Sequence, residues 1–140
     1  KVKGHLSILL IDEMGIIKDE RDLDNLVVTT GKGYIASRMK DATATAMSHM
    51  GIGTGTTAAA AGQTALVTEA NRQALTSTNV SGGQITYSST FGNGQGTGAL
   101  TEAAILNASS GGTMLCRTVF SVINKGANDT LAITWTVTVS

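Results

Sequence analysis

Two histidines and a run of carboxylates are the first side chains to consider as metal ligands or catalytic groups. His5 and His49 stand far apart in the sequence, and neither has a cysteine or carboxylate beside it at the spacing of a metal site. A cluster of acids interrupted by Arg21 lacks the central glycine and the terminal glutamate of a calcium loop; its members are Asp19, Glu20, Asp22 and Asp24. No G-x-S-x-G elbow indicates a serine triad, although triads assemble in space. We therefore expect no metal and no catalytic residues.

A glycine series could in principle bind a nucleotide. Gly51, Gly53, Gly55 and Ala58 match the loose pattern G-x-G-x-x-G/A. That pattern binds a dinucleotide only as the strand-to-helix turn of a βαβ unit. Threonines and alanines follow here, and no regular βαβ alternation is present. The series predicts a structural loop, and we expect no cofactor.

Two residues within apolar segments are better candidates for buried structure than for chemistry. Cys116 is the only cysteine and lies in an apolar strand pattern, which favours a small core residue over a nucleophile. Glu102 lies between Leu100 and Leu106, where a charge is costly unless it is paired or hydrogen-bonded. Arg117 and Lys125 are conceivable partners. Since no second carboxylate stands at an informative spacing, we expect the chain not to be an enzyme.

Composition limits the classes of partner. The chain has 140 residues, the size of one domain, and 14% of them are charged, well below the usual quarter or so. Ten basic residues balance ten acidic ones, so there is no excess of cations to neutralise a phosphate backbone. The apolar run from Leu6 to Ile11 is too short to span a bilayer. We expect neither nucleic acid nor membrane as a partner.

Short strands separated by glycine-rich turns dominate the rest of the chain. The clearest alternation is in the last strand, where one face carries Leu131, Ile133, Trp135, Val137 and Val139. Residues 1–21 read as an N-terminal hairpin or arm, and Thr29 or Thr30 could cap one short helix near residues 30–39. The prediction is a mainly β, single domain over residues 1–140, resembling a β-sandwich or jelly roll.

Four segments together resemble a class of tailed-bacteriophage virion proteins. They are LDNLVVTTGKGYIASRM (residues 23–39), HMGIGTGTTAAAAGQTALVTE (49–69), GALTEAAILNA (98–108) and GGTMLCRTVFSVINKGANDTLAITWTVTVS (111–140). Their order is similar to that of small capsid-decoration (cement) proteins and tail-fibre-associated proteins. The resemblance implies a β-rich domain that acts by assembly, without enzymatic activity.

Among these proteins, the compact single domain favours a capsid decoration protein. Such a protein would be made in the cytoplasm of the bacterial host and bind the outer capsid surface, where it bridges capsomers and stabilises the shell. Its partners would be the major capsid protein and copies of itself in a homo-oligomer. A tail fibre or baseplate component is the alternative. A carbohydrate-binding module is a second alternative, although aromatic residues make up only 4% of the chain.

The contact residues are expected in exposed loops and near the N-terminus. The apolar N-terminal segment could pair with a neighbouring subunit. Loops 53–63 and 92–98 lack the side chains of a core. The predicted interface residues are Leu6, Ile8, Leu10, Thr54, Thr56, Thr57, Asn93 and Gln95.

Overall fold

The computed structural model describes residues 1–41 and 43–140. Within them it has nine strands and one helix: β1 (Val2–Ile11), β2 (Ile17–Val27), α1 (Thr29–Lys40), β3 (His49–Gly53), β4 (Glu69–Ala74), β5 (Ser77–Ser81), β6 (Gln84–Phe91), β7 (Gly98–Leu106), β8 (Met114–Lys125) and β9 (Thr130–Val139). The prediction of a mainly β domain with one short helix is confirmed. The predicted N-terminal hairpin corresponds to β1 and β2, which pair antiparallel within the sheet.

All nine strands belong to one antiparallel sheet, in the order β4-β3-β7-β8-β2-β1-β9-β6-β5. The two halves of the expected sandwich are joined, because β2 pairs with β1 along most of its length and with β8 at Leu26 and Val27. The sheet curls, so side chains from both halves meet in one core.

At the other side the sheet nearly closes on itself. Residues 69–81 run from the edge of β3 to the edge of β6. The backbone N–H of Leu75 still donates to Ser48 (2.9 Å), whereas the next N–H, of Thr76, donates to Ser88 (2.7 Å). The chain therefore changes sheet partner within one residue, leaving one side of β4 and one side of β5 outside the ladder.

The core follows the period-two pattern of the central strands. Leu6, Ile8 and Leu10 are at most 2% exposed, and they lie opposite Trp135, Ile133 and Leu131 of β9, in that order. The prediction that these three side chains contact a neighbouring subunit is wrong. β1 lies between β2 and β9, so both of its edges are paired and its apolar face is directed inward.

Helix α1 packs on the end of β8. Its N-terminal boundary residue is Val28, and no side chain caps the helix, so the expected threonine cap is wrong. Thr30 instead donates its hydroxyl to the Met114 carbonyl (3.2 Å). Gly31 is buried, and a Cβ there would collide with the carbonyl of Leu115. The glycine that lowers helix propensity thus allows the helix to contact the sheet closely.

Candidate interaction surfaces

A fully buried ion pair lies beneath the loop that follows β3. Glu102 of β7 and Arg117 of β8 are both 0% exposed. Arg117 Nε donates to Glu102 Oε1 (3.0 Å), and Nη2 lies 2.9 Å from the same oxygen. Glu102 is therefore buried and paired, in agreement with the structural role predicted for it. Lys125, the other conceivable partner, donates instead to the Gly92 carbonyl (2.8 Å).

The carboxylate of Glu102 holds residues 54–68, here called the flap, against the sheet. Its Oε2 accepts the backbone N–H groups of Gly55 and Thr68 (both 2.8 Å), and its Oε1 accepts that of Val67 (2.9 Å). Burial acts to raise the pKa of Glu102, but these hydrogen bonds and Arg117 outweigh it and lower the pKa. The side chain therefore carries its charge at neutral pH, with its oxygens well satisfied.

Arg117 fastens the middle of the flap. Its Nη1 donates to the Thr57 carbonyl (2.9 Å) and to Gln63 Oε1 (3.0 Å). Gln63 in turn donates to the Ala58 carbonyl (3.0 Å). Leu66 adds an apolar anchor, packing in a small cluster with Ala104 and Leu106 among others. The flap is consequently a fixed platform, held at several points along its length.

The glycine series allows the backbone of β3 and the flap to lie close to the Glu102 carboxylate. A Cβ on Gly53 or Gly55 would come within 2.7 or 2.5 Å of Glu102 Oε2. These positions must be glycine because the backbone approaches the carboxylate so closely. The residues after β3 form no helix, so the strand-to-helix turn of a dinucleotide site is not formed here. Gly51 and Gly53 lie within β3, and only Gly55 and Ala58 lie in the flap, so the predicted structural loop covers the second half of the series alone.

The predicted contact residues outside β1 lie on loops. Thr54, Thr56 and Thr57 are exposed on the flap, and Asn93 is exposed after β6. Gln95 is half-buried, and its Oε1 accepts the Gly92 N–H (2.8 Å), so it shapes its own loop. Whether these five residues contact a partner stays a prediction.

Strand β5 is a surface that the sequence interpretation missed. All five of its residues, Ser77–Ser81, are exposed and uncharged, and the side facing away from β6 is unpaired. The other edge, β4, is blocked by charge: Arg72 binds Glu69 (2.6 Å) and the carbonyls of Ala108 and Gly111. Natural monomers usually protect an edge with charge, proline or a bulge. In the sequence, the uncharged segment STNVS was the feature that could have indicated this unprotected edge.

The remaining titratable groups form no further site. In residues 1–41 and 43–140, no group of three or more His, Cys, Asp or Glu side chains could hold a metal ion. His5 instead contacts Asp24 (2.9 Å) and, more weakly, Asp22 (3.4 Å). Cys116 is buried, and burial raises the pKa of its thiol. The one helix of residues 1–41 and 43–140, α1, is neither long nor apolar enough to cross a membrane.

No protein-family model matches the chain, and neither a curated protein nor a solved structure matches it.

Proposed function

We propose that the chain is a structural protein of a tailed-bacteriophage virion, and more specifically a capsid decoration protein. The observation that carries the proposal is the unpaired, uncharged β5 edge on a domain whose flap is already fixed in place. The order of its sequence segments, similar to that of such virion proteins, supports the same conclusion.

The β5 edge can pair with a strand of a neighbouring protein. Strand addition forms main-chain hydrogen bonds along the edge, and side chains on alternate positions supply selectivity. Ser77–Ser81 include no charge that would have to be desolvated. Val80, which is 68% exposed, would be partly covered by a side chain of the added strand.

The flap supplies a second contact surface. Thr54, Thr56 and Thr57 project from a segment that Glu102 and Arg117 hold in one conformation. A contact surface that is ordered before binding loses less conformational entropy on association. Modest contacts of this kind, repeated over a closed shell, would bridge capsomers and oppose expansion of the particle. The partners are the major capsid protein and further copies of this chain.

The distribution of aromatic residues does not favour a carbohydrate-binding module. Trp135 and Phe91 are 0% exposed, Tyr87 is 5% exposed and Phe120 is 8% exposed. These four residues therefore cannot form the exposed aromatic surface on which a sugar ring would stack. A tail fibre or baseplate component would use the same β5 edge. The two alternatives are therefore distinguished by where the chain lies in the particle, on the capsid or on the tail.

Cosedimentation with capsid shells tests the proposal. The purified chain is mixed with shells from which it has been removed, and the bound fraction is measured. Val80→Lys places a charge on the β5 edge, whereas Met14→Lys places the same charge in the β1–β2 turn, at the opposite end of the strands. Both wild-type residues are exposed, and melting curves show whether each variant folds.

We expect wild type and Met14→Lys to bind shells and Val80→Lys to lose binding. Full binding by Val80→Lys would show that β5 is not the contact. Absence of wild-type binding would overturn the decoration role, and recovery of the chain with purified tails instead would favour the tail alternative.

A further inference from the structure

An apolar cleft of about 370 Å³ opens between α1 and the inner face of β5, β6 and β9. Its walls include Ile35 and Met39 of the helix and Ile85, Val137 and Val139 of the sheet. The volume lies within the range of about 300–1,000 Å³ typical of small-molecule sites. The cleft therefore has the size and the lining to accept an alkyl group.

One tyrosine hydroxyl in this cleft is free to bind a ligand. Tyr87 is 5% exposed and lines the cleft, and none of residues 1–41 or 43–140 forms a hydrogen bond with its hydroxyl, which keeps contact with solvent at the cleft. Burial is the largest cause that raises the pKa of Tyr87 to about 12; Tyr34 and Cys116 act in the same direction, and Arg38 acts against them. The hydroxyl therefore keeps its proton at neutral pH and can donate it, with Tyr34 and Arg38 nearby.

The other polar groups of the cleft are also donors. The Tyr34 oxygen accepts the Met47 N–H (3.1 Å), which leaves the O–H of the same group available as a donor. Arg38 uses Nη1 on the Ala44 carbonyl (2.9 Å), and its guanidinium has further N–H groups. The lining includes no aspartate or glutamate. The cleft thus combines one cation and the hydroxyls of Tyr34, Thr78 and Tyr87 with an apolar wall, which complements an anion carrying an alkyl chain.

We propose that this cleft binds a small aliphatic carboxylate, whose carboxylate accepts hydrogen bonds from Tyr87 and Arg38 while its alkyl chain contacts Ile85, Val137 and Val139. A carboxylate suits the site because hydrogen bonds between charged groups are among the strongest in proteins. A peptide strand added to β5 is less suited, because it would pair along the strand edge and make no use of the donors that line the cleft. This inference is independent of a role in the virion.

Binding of decanoate tests the proposal. Affinity is measured by calorimetry, and amide chemical-shift changes locate the ligand. Decanol has the same chain without the carboxylate. Arg38→Gln and Tyr87→Phe each remove one donor, and Lys40→Gln is the matched control, since it removes a positive charge from α1 outside the cleft. Melting curves confirm that each variant is folded.

We expect decanoate to shift amides of α1, β5 and β6, and decanol to bind at least about tenfold more weakly. Arg38→Gln should weaken decanoate binding by about tenfold or more, Tyr87→Phe by several-fold, and Lys40→Gln not at all.

Several results would overturn the proposal. Equal affinities for decanol and decanoate would remove the role of the carboxylate, and equal losses in Arg38→Gln and Lys40→Gln would reduce the effect to net charge. If decanoate does not bind, or if an extended apolar peptide binds in its place, the ligand of the cleft belongs to another chemical class.

Discussion

Replacing Glu102 by glutamine should destabilise the fold strongly. The carboxylate is 0% exposed and compensates the equally buried Arg117. Glutamine keeps the shape but removes the negative charge, so Arg117 would remain buried without a counter-charge. The new amide would also direct N–H groups at backbone N–H donors of the flap, which now bind the carboxylate. Breaking a buried pair in this way typically costs about 3–5 kcal/mol.

That loss would be a large part of a domain's total stability, which is usually about 5–15 kcal/mol. The free energy of unfolding can be measured by urea denaturation monitored by the fluorescence of Trp135, the single tryptophan. Lys40→Gln is the control, because Lys40 forms an exposed ion pair with Asp41 and should be replaceable without a measurable loss. Hydrogen exchange adds a local readout, in which the amides of Gly55 and Thr68 should lose protection first.

The same pair makes stability depend on pH in a defined direction. Because the pKa of Glu102 is lower in the folded state than its ordinary value of 4.5, its ionised form stabilises the fold above that pH. The contribution is lost as the pH falls through the folded-state pKa. A cost below about 1 kcal/mol for Glu102→Gln, as at a surface pair, would refute the reasoning. So would unchanged protection of the flap amides.

Three further predictions follow from individual contacts. The hydrogen bond that His5 donates to the Asp24 carboxylate raises the pKa of His5, against the lowering effect of burial. An NMR titration should therefore give a value above 6.5, and Asp24→Asn should return it towards 6.5. The contribution of this pair to stability is present at low pH and is lost as the pH rises through the folded-state pKa of His5. Gly4→Ala should cost about 1–3 kcal/mol in urea denaturation, because the new Cβ would displace Asn25 from its hydrogen bond with the buried tryptophan. Cys116 should react with a thiol reagent only as fast as the protein unfolds, and rapid labelling of the folded protein would contradict its burial.

Local patterns in the sequence were enough to predict most elements. The alternation in β9 places Leu131, Ile133, Trp135 and Val137 in the core, as predicted. The same kind of pattern led to the wrong role for β1, because alternation shows that one face is apolar but not whether the strand lies at an edge. The position of β1 between β2 and β9 depends on pairing with residues at the far end of the chain.

The buried pair shows the same limit. An acid in an apolar segment predicts that Glu102 is buried and satisfied. The choice between Arg117 and Lys125 depends on the register of β7 and β8, which places Arg117 opposite Ala104 and Lys125 opposite Gly98, at the far end of β7. The three flap N–H groups that complete the site are backbone atoms, for which side-chain patterns carry no signal.

The number of copies per particle tests the central claim most directly. Quantitative mass spectrometry of purified virions, before and after the chain is stripped from them, measures its ratio to the major capsid protein and its effect on particle stability. A decoration protein should be present at a fixed ratio across the whole shell, and its removal should make the shell less stable. A few copies confined to the tail, or none in the particle, would contradict the account.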